Sequence, residues 1–129
     1  MKDFLKGLKP AYGWLLLTTI LLVLPGSAFP KETWLSKIYF DKWVHIGLFA
    51  IMVWLFCRAK YQHSTTTPDL KAAFLTITIL IIGYGIVMEF IQKYFVPYRS
   101  FDVGDIIADA AGAFLGYFVS YRLFLKQTS

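Results

Sequence analysis

Four apolar blocks separated by short polar stretches constrain this chain more than any other feature of it. An apolar stretch of about 20 residues, wound as a helix, crosses a hydrocarbon layer roughly 30 Å thick. No water reaches the backbone inside that layer, so each block must satisfy its own peptide groups as a helix. The blocks predict one domain with spans over approximately 8–26, 41–59, 71–93 and 103–125. The first is the shortest. Its apolar run, 11–24, ends at Pro25-Gly26 and covers only about 21 Å. Leu5 and Leu8 are therefore expected to join the span while Lys6 and Lys9 snorkel.

Composition places the chain in lipid rather than in water. Hydrophobic residues make up 57% of it and charged residues 16%, with a mean hydropathy of +0.57, more apolar than a soluble core of this length requires. The net charge of +5 raises nucleic acid as a partner, but the thirteen Lys and Arg are spread through all the polar gaps and form no dense patch. They read as topology signals and lipid-headgroup contacts, and nucleic-acid binding is excluded on that distribution. Cys57 is the single cysteine, so an intrachain disulfide is impossible, and among Trp54, Leu55 and Phe56 it reads as a small hydrophobe.

A secretory signal competes with the first span. Lys2, Lys6 and Lys9 would form its basic region, 14–24 its apolar core, and Gly26-Ser27-Ala28 its cleavage site. Pro25 and Pro30 crowd that site, and a retained span is the reading adopted. Either outcome leaves residue 30 onward on the same side. Orientation follows from the cations near the span ends. Lys2, Lys6, Lys9, Arg58, Lys60, Lys71, Arg122 and Lys126 fall on one side, against Lys31, Lys37, Lys42, Lys93 and Arg99 on the other. The chain is thus expected to be an all-α integral membrane four-helix bundle with both termini cytoplasmic.

In that arrangement the unusual residues collect at one end. Asp41, Lys42 and His45 open the second span; Glu89 and Gln92 close the third; Arg99, Asp102, Asp105 and Asp109 lead into the fourth. Spacings of three and four put Asp41 with His45, Glu89 with Gln92, and Asp102 with Asp105 and Asp109 on shared helix faces. A charge facing lipid costs at least a few kcal/mol, so these side chains should face a cavity or one another. Structural roles compete for several of them. Asp41 and Asp102 stand where N-caps belong, and Asp105 where the helix dipole favours an acid. Lys42 and Arg99 could touch lipid phosphates, and His45 could be a satisfied structural imidazole. Glu89 and Asp109 cap nothing, which leaves function or buried pairing. Gly104, Ala108, Gly112, Gly116 and Ser120 form a period-four row of small residues that would pack the fourth helix closely into the bundle.

Five carboxylates then face two certain cations, and crowded carboxylates cannot all stay ionised at low dielectric. Some are protonated, or His45 is charged, or a cation binds. A divalent ion on oxygen ligands would serve, although no metal motif of fixed spacing is present and no cofactor is predicted.

The ordered set Asp41-Lys42-xx-His45, Glu89-xx-Gln92, and Arg99 followed by Asp102, Asp105, Asp109, Gly112 and Gly116 resembles the VanZ-like family, over roughly residues 10–122. The resemblance implies a small protein of the bacterial inner (plasma) membrane. The family's founding member is associated with low-level resistance to teicoplanin, a lipid-bearing glycopeptide that acts at the outer membrane face, and no agreed reaction comes with it. Asp109 departs from the pattern, because the family often has Asn there.

Three functions fit these residues. The first is binding of a membrane lipid or lipid-linked cell-wall precursor, with Lys42, Arg99 and His45 on its phosphate and Asp41, Gln92, Asp102 and Asp105 orienting them. The second is a hydrolase or headgroup transferase on such a lipid, with Glu89, His45 and Asp109 as the proton-transfer groups. It lacks a Ser or Cys nucleophile beside a base. The third is a proton- or ion-coupled carrier relaying through Glu89 and Asp109, which four short spans would support only as a homo-oligomer.

Overall fold

The computed structural model describes residues 2–24, 40–63, 67–96 and 103–125, with side chains from 8–24, 42–61, 70–96 and 103–125. These residues form four helices and no strand. Helix α1 runs Lys2–Val23, α2 Phe40–His63, α3 Thr67–Phe95 and α4 Val103–Ser120, and α4 continues into a π-helical turn, Tyr121–Leu125.

Three stretches are long and apolar enough to cross a membrane: Lys42–Tyr61, Leu70–Phe95 and Val103–Leu125. The apolar part of α1, Leu8–Val23, is shorter and covers about 24 Å. Pro10 lies inside α1 and cannot donate to the carbonyl four residues back, a defect that sits near the polar end of the helix. Large apolar side chains point away from the bundle along all four helices. Leu80 is 66% and Ile107 64% exposed, and Leu16, Val87 and Phe114 are exposed as well. Apolar surface on this scale suits acyl chains.

Between lipid-solvated helices the hydrophobic effect offers little net drive, so association rests on close packing and interhelical hydrogen bonds. Helix α2 touches the other three, and its widest interface is with α4. The glycines of α4 explain that interface. A Cβ on Gly112 would collide with the backbone carbonyl of Ile46, and one on Gly116 would come within 2.5 Å of the Ala50 carbonyl oxygen and 2.8 Å of Val53. The two backbones touch there, and the rest of the row (Ala108, Ser120) is buried beside them. Rising numbers on α2 meet rising numbers on α4, so these two helices run parallel.

Phe49, Met52 and Val53 of α2 and Phe74, Ile81 and Met88 of α3 belong to one buried apolar cluster. Polar side chains fasten α1. Trp14 Nε1 donates to the Leu48 carbonyl of α2 at 2.9 Å. Thr19 donates to the Leu15 carbonyl at 2.8 Å, so its oxygen receives the hydroxyl hydrogen of Tyr84, 2.6 Å away on α3. At the far end of the bundle the π turn swings Phe124 inward. Its ring stacks on Tyr61 at 4.8 Å and meets Phe74 edge-on at 6.3 Å, while Leu125 is buried.

The helix glycines therefore divide into two kinds. Gly13, Gly47 and Gly83 have nothing within 4 Å of an added Cβ. Gly83→Ala should be neutral or raise stability by up to ~1 kcal/mol, whereas Gly112→Ala should lower it by about 1–3 kcal/mol through overpacking. Thermal melts of the two variants in one detergent check the contrast.

Candidate functional site

The parallel pairing of α2 with α4 brings two polar turns into register. Lys42 and His45 lie three apart on the first turns of α2, and Asp105 and Asp109 four apart on those of α4, so each pair shares a face. Directly beyond them Gly112 rests on Ile46. The short distance between backbones lets these side chains meet across the interface. Lys42 Nζ lies 2.6 Å from Asp105 Oδ1, and His45 Nδ1 lies 2.6 Å from Asp109 Oδ1. The other imidazole nitrogen, Nε2, is 3.9 Å from Asp105 Oδ1, too far for a direct hydrogen bond.

Depth within the array is graded. Side-chain exposure falls from 21% at Lys42 to 11% at Asp105, 8% at His45 and 3% at Asp109. The array thus runs from the polar rim inward, with the His45–Asp109 pair at its deep end. An ionised carboxylate only accepts hydrogen bonds. With Asp109 ionised, Nδ1 carries the hydrogen, and in the neutral ring Nε2 keeps its lone pair on the side of Asp105.

Helix α3 closes the site. A Cβ on Gly85 would lie 2.9 Å from Asp109 Oδ2 and 2.9 Å from the Phe49 ring. Gly85 therefore leaves the room that the Asp109 carboxylate occupies, a role missing from the sequence reading. Its trace was present all the same: a glycine in a helix interior is costly and needs a reason. Gly83 two residues away carries the same trace without the contact, so sequence alone does not separate the two. Glu89, one turn beyond Gly85 on the same face, is 1% exposed.

Gln92 has a different task. Its amide donates to the Leu22 carbonyl at 2.7 Å, at the end of α1, where carbonyls lack partners within the helix. Asp41 lies in the first turn of α2 with its side chain outside the described residues, and Arg99 and Asp102 also lie outside them. Lys42, His45, Asp105 and Asp109 are thus joined by direct contacts, Glu89 stands beside them, and Gln92 fastens α1 at the same end. Among the described residues no group of three or more His, Cys, Asp and Glu is arranged to hold a metal ion.

The family model described as VanZ/LLP1 matches residues 10–125. The chain belongs to the VanZ/LLP1 family. No curated protein and no solved structure matches it. With membrane-length helices and this family, it is a VanZ-family membrane protein. The geometry also gives a physical account of Asp at position 109 in a VanZ-like chain. The oxygen facing His45 takes part in a hydrogen bond, and an Asn carbonyl can accept from the same Nδ1–H.

Removing one member of a buried pair should cost about 3–5 kcal/mol, so Asp109→Ala is expected to lose that much in a detergent melt. Asp109→Asn should retain most of the stability. Equal losses in the two variants would mean that charge, not the hydrogen bond, holds the pair.

Proposed function

We propose that this VanZ-family protein lies in the bacterial plasma membrane with both termini cytoplasmic. In this reading its polar site opens at the outer face and binds a phosphate-bearing lipid or lipid-linked envelope precursor. The observation that carries the reading is the graded array itself: cationic and imidazole groups anchored by carboxylates at the rim of a bundle whose sides are apolar. Asp105 fixes Lys42 and Asp109 fixes His45, so neither has to be ordered when a ligand arrives, which lowers the cost of binding. Lys42 is the most exposed of the four and meets a headgroup first. Arg99 would add a planar fork suited to two phosphate oxygens.

One observation favours a second reading, an enzyme on such a lipid. A carboxylate that holds one imidazole nitrogen orients the other for proton transfer, and His45 Nδ1 is held by Asp109 at 2.6 Å. Water would be the nucleophile in a hydrolysis, with Glu89 as the alternative base.

Native mass spectrometry of co-purified lipid, followed by incubation and product analysis, separates the readings. For binding, Lys42→Ala and Arg99→Ala each reduce retained phospholipid about tenfold, the size of one lost charge-assisted hydrogen bond, and the lipid stays chemically unchanged. For catalysis, product appears with the wild type and disappears in a folded Glu89→Gln or His45→Ala protein. Retention unaffected by Lys42→Ala and Arg99→Ala, with no product, contradicts both.

A further inference from the structure

Among the residues whose side chains are described, the end of the bundle opposite the polar site carries a second set of charges, and these are cations. Lys71 opens α3, and its Nζ stands 5.9 Å from the centre of the Tyr121 ring in the π turn. Arg122, the next residue, folds back so that its guanidinium lies 5.1 Å from the centre of the Phe118 ring. Tyr117 and Tyr121 continue the aromatic surface, with ring centroids 6.5 Å apart. Lys71 and Arg122 are exposed, as are Phe118, Tyr121 and Leu123. Among the described residues neither cation makes an ion pair. The carboxylates whose side chains are described, Glu89, Asp105 and Asp109, belong to the other end, while Asp3 and Asp69 fall in the first turns of α1 and α3 at this one.

The π turn produces this arrangement. It turns Phe124 and Leu125 into the core, leaving Tyr121, Arg122 and Leu123 outside. Two cations from different helices are thereby held against aromatic faces at the end of an apolar strip that includes Phe114, Leu115 and Phe118. Such a strip has the chemistry to take an acyl chain, and long cationic side chains at its end have the chemistry to take a phosphate. Cation–aromatic contacts orient the two groups without neutralising them.

We infer that the junction of α3 with the π turn of α4 is a binding site for an anionic phospholipid, its phosphate across Lys71 and Arg122 and a chain along Phe118. This site is separate from the polar array, so its failure leaves the reading of that array untouched.

The test uses the full chain in nanodiscs of phosphatidylcholine containing a minor fraction of phosphatidylglycerol, with retained lipid read by native mass spectrometry. A cation near an anionic lipid surface contributes about fivefold in affinity. Lys71→Gln and Arg122→Gln should each lower phosphatidylglycerol retention by about that factor, and the double variant by the product of the two. Retention of phosphatidylcholine stays constant, and Lys71→Arg with Arg122→Lys restores the phosphatidylglycerol. An unchanged thermal melt of the double variant shows that the fold is intact; if it melts early, the charge-preserving pair and the single variants decide. Unchanged phosphatidylglycerol retention overturns the inference, and so does a parallel loss of phosphatidylcholine. Complete displacement by soluble glycerol phosphate would make it a site for free phosphate, which also overturns it.

Discussion

Ionisable side chains at helix ends in an apolar bundle have few stable environments, and that constraint sets how α2 meets α4. A lone charge in the acyl region costs a few kcal/mol, and pairing relieves the cost only when the partner lies within hydrogen-bonding distance. Lys42 with Asp105 and His45 with Asp109 satisfy this at 2.6 Å each. Such distances require closely spaced backbones, and Gly112 and Gly116 provide the spacing against Ile46 and Ala50. The polar contacts and the glycine contacts are therefore one device. Larger residues in the row would separate the acids from their partners, and a shift of the acids would leave the close packing without its register.

The rest of the bundle is arranged around this contact. Helix α3 approaches Asp109 closely because Gly85 has no side chain, and it brings buried Glu89 to the same region. Helix α1, short for a span, is attached by directed hydrogen bonds: Trp14 to Leu48, Tyr84 to Thr19, and Gln92 to Leu22. These bonds run side chain to backbone or hydroxyl to hydroxyl, which suits a helix whose apolar faces gain little from leaving lipid.

Much of this was legible in the residues. Helices were readable because an apolar block in lipid has only one way to satisfy its backbone. The meeting of Lys42, His45, Asp105 and Asp109 was readable because three- and four-residue spacings fix a face and the cost of charge in lipid fixes its direction. Which residue bonds to which was not. Spacing along α2 and along α4 does not state the offset between the helices, and that offset is set by Gly112 on Ile46. Gly85 stayed hidden for the same reason, since its consequence lies on another helix. Gln92 shared a face with Glu89 and was grouped with it, although its amide reaches the end of α1. The π turn at 121–125 left no mark in the apolar pattern, because hydrophobic residues continue through it in either geometry.

The graded array explains why one rim of a small VanZ-family bundle can present cationic and imidazole groups in fixed positions beside lipid. That claim stands or falls with the contact between His45 and Asp109. The most direct measurement is nitrogen–carbon dipolar recoupling by solid-state NMR, in lipid bilayers, between His45 Nδ1 and the Asp109 carboxyl carbon. A through-space contact at hydrogen-bonding range is the predicted result. A well-resolved His45 signal with no coupling to that carbon would contradict the account.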